Sequence, residues 1–311
     1  MNSRDLLFKL DEFLINTTSI GADETYFIFK ELKFSFDVGK CPKNVILCEN
    51  ILLTHLHMDH CAGLPYYIST RGLYNLKPGR IFVLKSEAKK IEKLMHTWEE
   101  MEQCRYRYEL VPIEPYKEYY ITKDLLFQAF PVCHRVPCLG YTLYRQVKKL
   151  KKEYLGLSSQ QIVELKKNNV AIVNVINNPL VSFLGDTNIN VFHDAAALDV
   201  FKDSKLLILE ATFLADGDES LASGRGHLHF NDIKKILPLL NNQKILLTHF
   251  SQRYSEYYVM KMLKKTFAKE EWQRIIPLCP KILLQKPDKV QEIPQISCPA
   301  EFFTKHKNSE S

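Results

Sequence analysis

No stretch of this chain approaches the ~20 consecutive apolar residues that a membrane-spanning helix requires, so no membrane partner is expected. The N-terminal MNSRDLLFKLDEFL has no basic start followed by a long apolar block and no small-residue cleavage pattern, so secretion is not indicated. The eight cysteines are scattered and form no CxxC pair. That pattern reads as reduced thiols in a cytosolic protein, with no disulfide framework and no closed thiolate zinc site. No period of about 20 to 50 residues repeats, which sets aside solenoids and propellers.

What is present is a chain of 311 residues, 46% hydrophobic, long enough for one large core or two intimately packed halves. A single domain over residues 1–285 is the economical reading. A polar, proline-bearing tail over 286–311 follows, ends in KHKNSES, and is assigned no function.

The chemistry concentrates in Leu53 to Gly63, LTHLHMDHCAG. There His55, His57, Asp59 and His60 fall within six positions, directly after the apolar run Val45 to Leu53. Imidazoles with a carboxylate are ligands zinc accepts, and the lack of paired thiolates points to an open, catalytic metal centre. On a helix His55 and His57 would face nearly opposite sides, so a loop leaving a strand end is the expected carrier. Apolar runs also precede His134 (LLFQAFPVCH), Asp186 (VSFLGDT) and His249 (KILLTHF). Alone, each of these reads as an ordinary hydrogen-bonded residue or turn. Together, four strand ends converging on one locus supply enough ligands for two metals. His96 in KKIEKLMHTWEEME, His193 and His306 sit at no such strand end and are expected to be packed or solvated.

Around these ligands the sequence resembles the metallo-β-lactamase superfamily, and within it the short, plant-type tRNase Z enzymes. The phrases that carry the resemblance are FDVGKCP at 36–42, HMDHCAGLPYYISTRGLY at 57–74, KKEYLGLS at 151–158, and EATFLADGD followed by GHLHFNDI. It runs from roughly Thr18 to Leu284 and implies an α/β, four-layer αββα sandwich with a small inserted arm. Strand-like runs alternating with helical patterns over Ser86 to Met101 and Asn231 to Leu240 suit two sheets packed face to face.

The resemblance further implies the site. His55, His57 and His134 would hold one zinc ion, Asp59, His60 and His249 a second, and Asp186 would bridge them, with manganese or another divalent ion as an alternative metal. Such a pair, about 3.5 to 4 Å apart, activates a water for in-line attack on a phosphodiester. Asp59 would also steer that water's proton. Glu210 would orient His227, which would protonate the leaving oxygen. The implied activity is removal of the 3′ trailer of precursor tRNA, leaving a tRNA 3′-hydroxyl and a trailer 5′-phosphate. His229, where many such enzymes have Thr, is left out of the site.

The net charge of +6 is unevenly placed, since Arg145 to Lys152 reads RQVKKLKK. A basic cluster binds phosphates by counterion release, and residues 145–172 match in place the tRNA-clamping arm of the family. Homodimers and a cytoplasmic setting are implied too, with a nuclear or organellar pool left open. A Pro/Lys/Arg/Asn loop that influences the cut position in many relatives has no match here. The competing reading is a hydrolase of the same fold acting on a small phosphodiester, thioester or lactone. A metal-holding or metal-free RNA binder without turnover would need none of the set formed by the seven ligands with Glu210 and His227.

Overall fold

The structure is a computed structural model that describes residues 6–10, 13–279 and 291–292. Of the tail expected over 286–311, all but Gln291 and Glu292 lies outside the described residues, as does His306.

Sixteen strands among the described residues form two sheets. The first contains β1 (Leu6–Leu10), β2 (Phe13–Gly21), β3 (Glu24–Phe29), β4 (Phe34–Phe36), β5 (Asn50–Leu52), β6 (Gly79–Leu84) and β7 (Tyr108–Ile113) in that spatial order. The second contains β8 (Glu118–Tyr120), β9 (Leu125–Val132), β10 (Cys138–Leu150), β11 (Val173–Phe183), β12 (Leu206–Glu210) and β13 (Lys244–Thr248). The short β14 (Phe250–Ser251) returns to the first sheet beside β2, β15 (Ile275–Pro277) extends the second beyond β13, and β16 (Gln291–Glu292) pairs with β1. In each sheet an antiparallel meander gives way to a parallel run: β4 to β7 in the first, β11 to β15 in the second.

Residue alternation decides the layers, because successive side chains on a strand face opposite ways. Along β12, Leu206 and Ile208 enter the core between the sheets, while Leu207 and Leu209 pack outward against helices. Along β6, Phe82 points inward, and Ile81 and Val83 outward. Aromatic rings close the gap between sheets: Phe27 and Phe36 stand 5.0 and 5.2 Å from Phe183, and Phe82 stands 5.0 Å from Phe127. Each such pair contributes about 0.5 to 1.5 kcal/mol beyond its burial.

The first sheet is covered outside by α1 (Lys43–Ile46), α3 (Leu64–Leu73) and α4 (Ala88–Glu102), with the short α2 (Met58–Cys61) between α1 and α3. The second is covered by α6 (Ala195–Phe201), α8 (Phe230–Ile236) and α9 (Glu256–Thr266). This is the αββα sandwich. The helix expected over Ser86 to Met101 is α4. The one expected over Asn231 to Leu240 stops at Ile236 and tightens into a 3₁₀ turn over Leu237–Leu239, where Pro238 cannot continue the α-helical ladder.

The remaining helices are α5 (Ser159–Lys167), between β10 and β11, and α7 (Glu219–Arg225), between β12 and α8. Helix α5 belongs to an arm. Strand β10 pairs with β9 only up to Arg145, whereas Gln146 to Leu150 pair solely with Val173 to Asn177 of β11. The basic run is therefore a strand, and a capping box at Ser158 and Gln161 starts the helix beyond it.

Candidate metal centre

Five of the residues expected at the site lie at or just past strand ends on one edge of the sandwich. His55 follows β5, His134 follows β9, Asp186 follows β11, Glu210 ends β12 and His249 follows β13. The loop expected to carry the dense motif is half right. His55 is in a loop and His57 precedes α2, but Asp59 and His60 ride on that helix, whose four residues turn both inward. The tight entry into α3 depends on Gly63: a Cβ there would lie 2.3 Å from the Cys41 amide nitrogen.

Three imidazoles meet first. His55 Nε2 is 3.1 Å and His134 Nε2 3.2 Å from His57 Nδ1. The carboxylate of Asp186 then divides its oxygens. Oδ2 lies 3.6 Å from His55 Nε2 and 3.9 Å from His134 Nε2, while Oδ1 lies 3.4 Å from both His60 Nε2 and His249 Nε2. Asp59 Oδ2 completes the second group, 3.4 Å from His249 Nε2 and 3.8 Å from His60 Nε2, and accepts the Ala22 amide at 3.0 Å. His249 adopts a left-handed backbone (φ 61°), a strained conformation that costs on the order of 1 to 3 kcal/mol and clusters at functional sites.

These donors fit a divalent cation. Imidazole nitrogens and carboxylate oxygens converge in overlapping groups whose candidate ligand atoms lie within 4.8 Å of one another. His60 Nε2, His249 Nε2 and Asp186 Oδ1 are buried with no hydrogen-bond partner, a condition that is costly unless a ligand satisfies them. His227 also approaches Asp186, at 4.0 Å, through Nδ1. That nitrogen donates to Glu210 Oε1 at 2.9 Å and so is not free to ligate.

Charges follow the geometry. Burial, reinforced by His60, holds His55 well below the ordinary imidazole value, and burial lowers His57 and His134. Burial disfavours a charged His60, yet Asp186 and Asp37 outweigh it and raise its pKa well above the ordinary value. The same contest at His227 is won by Glu210 and Asp186, giving about 9. Asp186 resists burial through His249 and His60 and stays well below the carboxylate range.

Sequence reasoning brought in nine residues, Asp59, Glu210, His227 and the remaining metal-ligand candidates, and the structure brings all nine together. It missed three. Asp37 Oδ2 is 2.7 Å from His60 Nδ1, and Thr54 and Thr212 bond the outward nitrogens of His55 and His249. The signal for Asp37 was available: an acid closing the apolar run FSFD matches Asp186 after VSFLG and Glu210 after LLIL. His229 serves elsewhere, capping α8 by accepting the Asn231 amide at 3.1 Å. His96 and His193 are solvent-exposed.

This fold with this histidine and aspartate cluster defines a metal-dependent hydrolase of the metallo-β-lactamase type. A beta-lactamase superfamily domain matches residues 42–250. The chain is 37% identical to Arabidopsis thaliana "tRNase Z TRZ2, chloroplastic" over 274 residues, covering 87% of this chain and 76% of that protein. It is 38% identical to Arabidopsis thaliana "tRNase Z TRZ1" over 248 residues, covering 79% and 88%. Among solved structures, the short form of human tRNase Z superposes with a TM-score of 0.51 at 18% identity, over 78% of this chain and 87% of that one. The Bacillus subtilis metallo-β-lactamase fold protein YhfI superposes with 0.54 at 13% identity, over 87% and 91%. The chain belongs to the tRNase Z family of the β-lactamase superfamily.

Proposed function

We propose that this protein is the endoribonuclease that removes the 3′ trailer of precursor tRNA, leaving a 3′-hydroxyl on the tRNA and a 5′-phosphate on the trailer. The observation that carries this reading is the 37% to 38% identity to two plant tRNase Z enzymes over most of each chain.

Two zinc ions per subunit suit the donor set, with manganese or another divalent ion able to use the same ligands. His55, His57 and His134 would hold one, Asp59, His60 and His249 the other, and Asp186 both. When bound, such ions polarise the scissile phosphate and bring a water's pKa toward neutrality. The chain's residues do the rest. Asp59, its Oδ2 fixed by the Ala22 amide, is placed to take the attacking water's proton. Glu210 beside His227 favours the protonated ring against burial and accepts from its Nδ1, so its Nε2–H would serve the departing 3′ oxygen. A positioned acid contributes roughly 10² to 10⁴ in rate.

The arm supplies the grip on RNA. Residues 145–172 hold seven Lys and Arg against two Glu, a net of +5 in a chain of net +6. Carried on a projecting hairpin, that charge supports phosphate binding without sequence readout. Homodimer formation also has a surface to use. Tyr66 and Leu73 on α3 and Leu94, Trp98 and Met101 on α4 are exposed, and Ser69 bonds Glu102 at 3.1 Å where the two helices meet. A second copy covering this apolar face accounts for it; light scattering at micromolar concentration should report a dimer, and a fully active monomer would exclude it. No helix among the described residues is long and apolar enough to cross a membrane. The seven cysteines described are free thiols, which supports a reducing, cytoplasmic setting.

Assaying the metal-loaded protein on a 3′-extended precursor tRNA and on small phosphodiesters, thioesters and lactones tests the function. Cleavage of the RNA at one position supports it. Turnover of only the small substrates moves the chain to another branch of the fold.

A further inference from the structure

Two threonines, one in each half of the molecule, occupy equivalent places behind the metal-ligand candidates. Thr54 Oγ1 lies 2.8 Å from Asp37 Oδ2 and 3.0 Å from His55 Nδ1. Thr212 Oγ1 lies 2.5 Å from Glu210 Oε2 and 2.9 Å from His249 Nδ1. Thr54, Thr212 and both histidines are buried.

The direction of each chain of bonds is set by its first member. A carboxylate only accepts, so the threonine hydroxyl must donate its single proton to Asp37 or Glu210. What the hydroxyl then offers the histidine is a lone pair. His55 and His249 must therefore carry their proton on Nδ1, and Nε2 is left as a bare lone pair. Those Nε2 atoms are the ones that face Asp186. Competing contacts do not reverse this: Cys138 Sγ, 3.6 Å from His55 Nδ1, is a weak partner beside the Thr54 hydroxyl at 3.0 Å and has the Leu139 carbonyl at 4.0 Å for its own proton. Thr54 Oγ1 is 3.5 Å from His60 Nδ1, which Asp37 holds at 2.7 Å, and Thr212 Oγ1 is 3.3 Å from His227 Nδ1, which Glu210 holds at 2.9 Å.

We infer that Thr54 and Thr212 are matched positioning residues that lock the tautomers of His55 and His249, one for each metal position. Each carboxylate thereby serves two rings. Asp37 orients His60 directly and His55 through Thr54; Glu210 orients His227 directly and His249 through Thr212. Glu210 thus bears on metal retention as well as on proton donation. The inference rests on the reading of His55 and His249 as ligands of different ions.

Zinc titration of the metal-stripped protein against a competing chelator tests it, using Thr→Val and Thr→Ser at each position beside His57→Ala and His249→Ala. Outer-shell partners of metal-bound histidines typically change affinity by on the order of 10- to 100-fold. Thr212→Val should weaken one zinc ion by that factor and Thr54→Val the other, with the Ser variants near wild type. In a His249→Ala background, which should retain one ion, Thr54→Val should weaken that ion and Thr212→Val should not. Wild-type affinity for both ions in the Val variants, or equal losses in Ser and Val, would overturn the inference while sparing the ligand reading. Two ions still bound by His249→Ala would overturn both. Should a Val variant fail to fold, ¹⁵N ring spectra of the metal-free wild type decide: protons on Nδ1 of His55 and His249 are expected, and protons on Nε2 would sink the idea.

Discussion

Asp37 Oδ2 lies 2.7 Å from His60 Nδ1, and both side chains are fully buried. A histidine held in this way keeps its ring in one orientation, with Nε2 turned toward Asp186 and His249. Asp37 itself sits in a left-handed backbone conformation (φ 53°) and accepts the Thr54 amide at 2.8 Å. It therefore fixes the end of β4, the start of the histidine motif and one ligand candidate at once.

Replacing that carboxylate should be costly without emptying the core. Asp37→Asn keeps the shape but offers an amide where His60 and Thr54 need acceptors. We expect zinc affinity or activity to fall on the order of 10- to 100-fold, read by metal content after dialysis against a chelator. Wild-type metal content and rate would remove Asp37 from the account.

The Glu210 and His227 pair makes a pH prediction. The folded protein raises His227 to about 9 from an ordinary 6.5. The protonated ring is thus favoured by folding; that contribution is complete below about pH 6.5 and lost as pH rises through about 9. In Glu210→Gln the burial that opposes the charge remains and its main counterweight is gone, so the titration should move down, to neutrality or lower. Ring-proton NMR of the metal-free protein follows it directly, and an unmoved midpoint would show that another group carries the shift.

Much of this site could be read from the chain because metal ligands follow apolar runs, and a run ending in His or Asp survives translation into a strand end. Residues that act behind the ligands leave a weaker trace. Thr54 and Thr212 read as ordinary strand-end hydroxyls until the fold sets them against His55 and His249. The arm shows a different gap. In RQVKKLKK, Val147 and Leu150 stand three apart, a spacing that also suits a helix. Pairing of Gln146 to Leu150 with Val173 to Asn177 settles it as a strand, and long-range pairing of that kind has no signature inside the segment itself.

That strand carries a prediction about RNA. Lys148→Glu with Lys149→Glu, both at exposed positions of the arm, should weaken precursor-tRNA binding and flatten its salt dependence. A slope change of roughly 0.7 to 0.9 is expected for each phosphate that is no longer neutralised. Hydrolysis of a small phosphodiester should be unchanged, because Lys148 and Lys149 pair with the start of β11, at the opposite end of that strand from Asp186. Equal losses on both substrates would mean that the substitutions disturb the centre.

Removing the metal should loosen the fold as well as stop the chemistry. The buried, unpartnered atoms of His60, His249 and Asp186 would lose the ligand that satisfies them. An ion present at about 100 times its dissociation constant contributes about 2.7 kcal/mol. Chelation should accordingly lower the melting temperature by several degrees, reversed by added zinc. A melting temperature indifferent to the chelator would argue that the cluster holds no ion in the folded protein.

The central claim is that a dinuclear centre at His55, His57, Asp59, His60, His134, Asp186 and His249 cuts the 3′ end of precursor tRNA. Nucleotide-level mapping of a 5′-labelled precursor tRNA treated with zinc-loaded protein, beside His57→Ala and Asp186→Ala, measures it most directly. The account predicts one cut near the discriminator base, leaving a 3′-hydroxyl, and none with either variant. Intact RNA after incubation with protein shown to hold two metal ions, or an undiminished cut by Asp186→Ala, would contradict it.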